Sequence, residues 1–224
     1  MVNAGDPQRH LEYAGVKVLP LVLASASPRR RALLRRIVSQ FDVDSADLDE
    51  TRLDDEPPEA LALRLAAAKA VAVAGSIPGA WVLGADTVVA YREPSEAEVA
   101  AGWHLLGKPG DPDEAAAFLR LLGGREHRVT TAIALARVGP KGEVAVTAVA
   151  EHSAVWLRRM GDEEIAAYVA TGSPMDKAGG YAIQDAGFRP VERIVGSETN
   201  VVGLPIRVVA RVLREVVDPQ PSGF

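Results

Sequence analysis

An α/β fold built on a mixed, twisted sheet is the class this sequence predicts. Three observations carry it. Helical and strand patterns alternate from Val18 to Val217. Two long apolar strands meet at Gly139-Pro140-Lys141-Gly142, a hairpin signal that adds antiparallel pairing. Helix starts are written out as a hydroxyl or carboxyl cap followed by proline, at Ser27-Pro28 and at Asp111-Pro112.

The elements follow in order. Residues 1–16 read as a polar tail without regular structure, and residues 219–224 as a second tail. A single domain is expected over 17–218. Val18–Ala24 is an apolar strand, Pro28–Val38 a helix on Leu33, Leu34 and Ile37, and Phe41–Ser45 a short strand. An acidic loop, Asp47 to Glu56, precedes an alanine-rich helix that Pro57 and Pro58 open and that runs through Ala74. Trp81–Ala90 is a strong strand, interrupted by Gly84-Ala85-Asp86-Thr87. Residues 92–106 form an insertion with a capping-box start at Ser95-Glu96-Ala97-Glu98. Asp111 opens a helix to Leu122. Arg128–Val138 and Glu143–Leu157 are the hairpin strands, and Asp162–Ala170 is a helix. Gly172 to Gly180 is a glycine-rich loop before a short strand, Tyr181–Gln184. A strand around Ile194 and a helix over Pro205–Val217 close the chain.

Composition excludes several classes. A net charge of -5 argues against a general nucleic-acid binder. With no cysteine there is no disulfide, thiol nucleophile or thiolate-ligated zinc. No H-E-x-x-H pattern occurs, so any metal should be a hard, oxygen-ligated cation such as magnesium. No stretch is long enough to span a membrane. Leu19–Leu23 is too short for the apolar part of a secretory leader and reads as a buried strand.

The chemistry concentrates in a few places. Leu23-Ala24-Ser25-Ala26-Ser27-Pro28-Arg29-Arg30-Arg31 is a strand, a tight turn and a helix start loaded with arginine. The Ser25 and Ser27 hydroxyls, free N–H groups and the Arg29 and Arg30 guanidinium forks converge there, as an anion such as phosphate requires. Asp86 lies inside an apolar run, where a carboxylate is costly unless paired or metal-bound. The bland reading is a strand-end cap. Gly84 permits close approach of a ligand or of backbone. One residue of the acidic loop could join Asp86 as a second metal ligand. Arginines outnumber lysines 20 to 5, and Lys69, Lys108 and Lys177 each sit beside these unusual features, as if a compact ammonium were required. His127 suits either a phosphate contact or a structural role. Tyr168 and Trp156 read as core.

Jointly these segments resemble the Maf family, the septum-formation-inhibitor-like nucleotide pyrophosphatases. The matching stretches include Leu23–Arg31, Asp49-Glu50-Thr51, Ala68-Lys69-Ala70, Gly84–Val89, Gly107-Lys108-Pro109, His127–Thr131, Asp176–Gln184 and Asn200–Pro205. The resemblance implies two lobes around a deep cleft, a fold related to inosine triphosphate pyrophosphatases, a cytoplasmic location and a house-cleaning role linked to cell-division arrest. It implies hydrolysis of a nucleoside triphosphate to the monophosphate and pyrophosphate with a divalent metal, magnesium or manganese. Asp86 would be the catalytic proton acceptor and, with Glu50, a metal ligand. Lys69, Lys108 and Lys177 would line the phosphate side of the cleft, and Arg29, Thr87 and Gln184 would choose the substrate. Ala85-Asp86-Thr87 and Ile183-Gln184 look like the branch that takes dTTP, UTP and modified pyrimidines. A glutamine amide donates and accepts at once, as the imide edge of uracil or thymine requires. A 7-methyl-GTP pyrophosphatase and a non-catalytic nucleotide-binding regulator of septum formation are the alternatives. Ser173 stands where the family often has glutamate, and Asp185 where it often has glycine. That places an extra carboxylate beside Gln184, with consequences for base preference or metal position. The 92–106 insertion is a candidate contact of a homodimer.

Overall fold

The computed structural model describes residues 11–13, 16–18, 20–45, 47–93, 102–185 and 187–217. Leu11–Tyr13 (β1) and Val16–Val18 (β2) pair antiparallel as a separate two-stranded sheet. The buried strand predicted from Val18 therefore begins at Leu21, and the structureless tail predicted through residue 16 includes part of this pair.

Among the described residues the main sheet has seven strands. Leu21–Ala24 (β3) lies between Asp42–Asp44 (β4) and Trp81–Tyr91 (β5), parallel to both. Beyond β5 the sheet turns antiparallel, through Glu126–Val138 (β7), Val144–Leu157 (β8) and Val191–Val195 (β9). His104–Leu106 (β6) also pairs with β5. The predicted mixed sheet is thus present, and the hairpin supplies its antiparallel half.

One detail of register opens the molecule. β7 covers one edge of β5 from Val82 to Ala90. On the other edge, β3 reaches only to Gly84, and β6 begins only at Val89. Among the described residues, no strand pairs with that edge over Ala85–Val88. A cleft forms there because two strands diverge from one continuous third strand. β5 itself is unbroken, although the sequence suggested an interruption at Gly84–Thr87. The flanking strand-forming residues keep the ladder to β7 intact through that stretch.

Three apolar clusters hold the layers. On one face, Leu33 and Leu34 of α1 (Pro28–Leu34) and Val209 and Leu213 of α6 (Ile206–Val217) pack on Leu21, Leu23, Leu83 and Ile133. On the opposite face, Leu65, Ala66 and Ala70 of α2 (Pro58–Ser76) meet Val22, Val82 and Ala134. At the far end, Leu119 of α3 (Pro112–Leu122) and Ile165 of α4 (Asp162–Ala170) cover Val89, Val129 and Val155. Each fully buried leucine contributes about 1.5–3 kcal/mol.

Other departures are local. Glu198–Val202 (α5) is a short helix that no periodicity announced; Ser197 caps it. Gly172 to Gly180 forms two 3₁₀ turns, with Gly179 at φ 72°, where a side chain would be strained. Tyr181–Gln184 is not a strand. Its apolar character comes from Tyr181 and Ala182 being buried, not from pairing. The capping box at Ser95–Glu98 lies outside the described residues.

Candidate active site

A cavity of about 740 Å³ lies along that open stretch of β5. Ser25, Ser27, Arg29, Arg30, Glu50, Lys69, Asp86, Thr87, Lys108, Lys177 and Gln184, all singled out above, lie on its wall; His127, the other candidate phosphate contact, does not. Asp86 and Thr87 are consecutive and point to opposite faces of a strand. Both line the cavity, where among the described residues no strand pairs with the neighbouring edge.

Gly84 sets the depth of this site. A Cβ there would lie 2.2 Å from the Ala66 carbonyl oxygen and 2.8 Å from the Ala70 nitrogen. The space that Gly84 leaves is therefore filled by the backbone of α2, not by a ligand. Pressed this close, α2 delivers Lys69 to Asp86, which stands two residues after Gly84 on the same face. Lys69 Nζ donates to Asp86 Oδ1 at 2.6 Å and pairs with Glu50 Oε1 at 2.6 Å. Two carboxylates from distant segments are thus joined through one ammonium. Burial pushes Asp86 above the ordinary carboxylate range, against the pull of Lys69 and Arg30. Burial also works upward on Glu50, but Lys69, Lys108 and Arg30 together bring it below its ordinary value. The two carboxylates have been driven apart in basicity.

The β3–α1 turn forms as its sequence predicted. Ser27 is the N-cap, its hydroxyl accepting from the Arg30 backbone N–H, and Pro28 opens the helix. The arginines divide in role. Arg30 turns inward and donates to the Gly203 carbonyl (2.9 Å), the Ser25 hydroxyl (3.3 Å) and the Thr87 hydroxyl (3.0 Å). It is a clamp that ties α1 to β5 and to the segment after α5. Arg29 stays at the cavity wall and pairs with Asp176 across the cleft at 3.2 Å.

Behind Thr87 runs a directed hydrogen-bond chain. The Thr131 hydroxyl donates to the Asn200 carbonyl at 2.8 Å, and the Asn200 side-chain oxygen accepts from the Thr131 N–H. Asn200, fully buried, also donates to the Val129 carbonyl and the Ser153 hydroxyl. Since the Thr131 proton is committed, the Thr87 hydroxyl is the donor in the 2.9 Å contact between them. Arg30 occupies another position on the Thr87 oxygen. What Thr87 offers the cavity is an acceptor.

On the opposite wall, Lys177 is buried and donates to the carbonyl and hydroxyl of Ser173 and to Asp176. All three of its donors are spent on its own loop, so it organises this wall instead of facing the cavity as a free cation. Lys108 is exposed, and among the described residues no carboxylate lies within ion-pair distance of it. The departures Ser173 and Asp185 meet: the Ser173 hydroxyl donates to Asp185 at 2.6 Å, as does the Tyr168 hydroxyl.

His127 takes its structural role. It is 1% exposed, and its Nε2 lies 2.6 Å from the Tyr181 hydroxyl. Tyr168 stacks on Phe188 within the core as expected, whereas Trp156, also read as core, is half-buried beneath the Arg193 guanidinium, where β8 pairs with β9. Thr131, Asn200 and Tyr181 were missed as individual functional residues. Matching segments contained them, but only the fold shows what they touch.

The comparisons with known proteins bear on this geometry. The family model described as Maf-like protein matches residues 20–216. The chain belongs to the Maf family. A dTTP/UTP pyrophosphatase of Thermomicrobium roseum is 48% identical over 204 residues, covering 90% of this chain and 86% of the relative. One of Anaeromyxobacter dehalogenans strain 2CP-1 is 45% identical over 201 residues, covering 90% and 96%. Among solved structures, the Staphylococcus aureus Ham1 protein is similar with a TM-score of 0.44 at 16% identity, over 87% of this chain and 98% of that one.

The donor set of this Maf-family site suits a magnesium-like cation. Among the described residues no three histidine or carboxylate side chains gather as a ligand cluster. Asp86 and Glu50 supply two hard carboxylates, both held by Lys69. Magnesium characteristically takes one or two carboxylates and completes its shell with water and phosphate oxygens.

Proposed function

We propose that this chain hydrolyses nucleoside triphosphates, dTTP and UTP first among them, to the monophosphate and pyrophosphate. The observation that carries this is the Glu50–Lys69–Asp86 bridge on the wall of a nucleotide-sized cavity. Relatives named dTTP/UTP pyrophosphatase, matched over nearly their whole length, support the substrate class. Free nucleotides make the cytoplasm the natural compartment.

In this reading the triphosphate lies in the cavity along the open stretch of β5. Asp86, made more basic by burial, accepts a proton from the attacking water. The water oxygen bonds to the α-phosphorus, the α–β bridging bond breaks, and pyrophosphate leaves. Lys69 holds both carboxylates in place, while Lys108 and Arg29 supply positive charge to the phosphates. Asp86 and Glu50 would hold a divalent cation, magnesium or manganese, which when bound neutralises phosphate charge and lowers the pKa of its water. Thr87, an acceptor, and Gln184, an acceptor and donor, match the imide edge of uracil or thymine, where cytosine reverses the pattern.

The test is pyrophosphate release from dTTP, UTP, dCTP and 7-methyl-GTP, with and without magnesium. Metal-dependent turnover favouring dTTP and UTP is expected, abolished in Asp86→Asn. Preference for 7-methyl-GTP would overturn the base assignment. Binding without turnover of any of them would overturn the enzymatic reading.

A further inference from the structure

The segment Ala182–Gln184 is short, unpaired in any sheet and held at both ends. At its start, Tyr181 is buried, with its hydroxyl 2.6 Å from His127 Nε2 and its ring edge-on to the imidazole. At its end stands Asp185. One oxygen of that carboxylate accepts from the Tyr168 hydroxyl of α4 and from the Ser173 hydroxyl, each at 2.6 Å. The same oxygen lies 3.9 Å from the Lys177 ammonium. Tyr168 is itself immobilised by stacking on Phe188, with ring centroids 3.6 Å apart.

From Asp185 the connections run onward to the cleft. Ser173 also accepts from Lys177, Lys177 donates to Asp176, and Asp176 pairs with Arg29 of α1 across the cavity. Asp185 is thus the meeting point of α4, the 3₁₀ turn at Ser173–Asp176 and the segment that carries Gln184. Gln184 itself is exposed on the cavity wall, so the placement of its amide depends on how its backbone is held. A recognition group loses discrimination when its support lets it drift by an ångström.

We infer that Asp185 is a positioning residue for base recognition: its carboxylate anchors the Gln184 backbone to Tyr168 and Ser173 and orders the Lys177–Asp176 wall. It touches no substrate. The inference rests on the proposed function for the identity of the base, and on the hydrogen bonds alone for the anchor. Because Asp185 is partly exposed and lies outside the apolar clusters, variants there should fold.

The test compares Asp185→Ala, Asp185→Asn and Ser173→Ala with the unaltered chain. Two readouts are taken: kcat and KM for dTTP and dCTP, and amide hydrogen exchange across residues 181–188. For Asp185→Ala, KM for dTTP should rise on the order of tenfold, with a smaller change in kcat. The dTTP to dCTP preference should shrink, and exchange over 181–188 should quicken. Asp185→Asn keeps an acceptor for both hydroxyls and should restore most of the preference. Ser173→Ala should act in the same direction as Asp185→Ala, but less. Unchanged preference or unchanged exchange in Asp185→Ala overturns the inference. If the unaltered chain turns over no pyrimidine nucleotide, the proposed function fails, and the exchange measurement still decides the anchor.

Discussion

Gly84 and Ala66 touch so closely that the site is built on their contact: a Cβ on Gly84 would fall 2.2 Å from the Ala66 carbonyl oxygen. The obstacle is helix backbone, which cannot rotate away as a side chain can. The whole of α2 would have to lift, and Lys69 with it.

Gly84→Ala should therefore reduce stability by about 1–3 kcal/mol or more, as overpacking does. It should also separate Lys69 from Asp86. A urea midpoint and the rate of pyrophosphate release measure the two effects. A variant with unaltered stability and rate would show that α2 is not pinned here.

Asp86 and Lys69 set a pH dependence. Burial raises the Asp86 pKa, and Lys69 is the chief group opposing that rise. As the proposed proton acceptor, Asp86 would work only when ionised, so kcat/KM should fall on acidification at a higher pH than an ordinary aspartate would give. In Lys69→Met the opposing charge is gone, and this acid limb should move further up. A limb that stays in place, or moves down, contradicts the assignment of Asp86 as base.

Thr131→Val preserves shape and removes the hydroxyl that fixes the Thr87 proton. Thr87 would then be free to donate toward the cavity. The preference for dTTP over dCTP should narrow several-fold, and stability should fall by about 1–3 kcal/mol, because two hydrogen bonds are lost and the Asn200 carbonyl loses a buried donor. Steady-state kinetics with the two nucleotides measure this. An undiminished preference would mean that Thr87 does not read the base through its oxygen.

His127 predicts a stability slope. Burial lowers its pKa from the ordinary 6.5 to about 3. Between those values the unfolded chain binds a proton that the folded chain refuses, so stability falls as pH falls. The slope from this residue is about 1.4 kcal/mol per pH unit. Urea unfolding at pH 6.5, 5.5 and 4.5 should show it, and His127→Gln should flatten it by that amount. An identical slope in the variant would indicate that His127 is protonated in place.

The parts of this protein legible in its sequence are those that depend on neighbours along the chain. The Ser27 cap, the Pro28 helix start, the Asp162–Ala170 helix and the Gly139–Gly142 hairpin follow from local hydrogen bonding and fixed φ angles, and they form as read. An aspartate inside an apolar strand signalled function for a related reason: its burial needs compensation. The partners of these groups were not legible. That Gly84 accommodates a helix, that Arg30 clamps while Arg29 stays at the cleft, and that Lys177 is spent on Ser173 and Asp176 all depend on segments far apart in sequence. The same holds for Tyr181, whose apolar run mimicked a strand because burial and β-pairing favour the same side chains. Composition and spacing determined which groups this chain possesses. Tertiary packing decided which of their hydrogen bonds are already occupied and which face the cavity, because that occupancy depends on distances of a few ångströms between elements that do not adjoin in the chain.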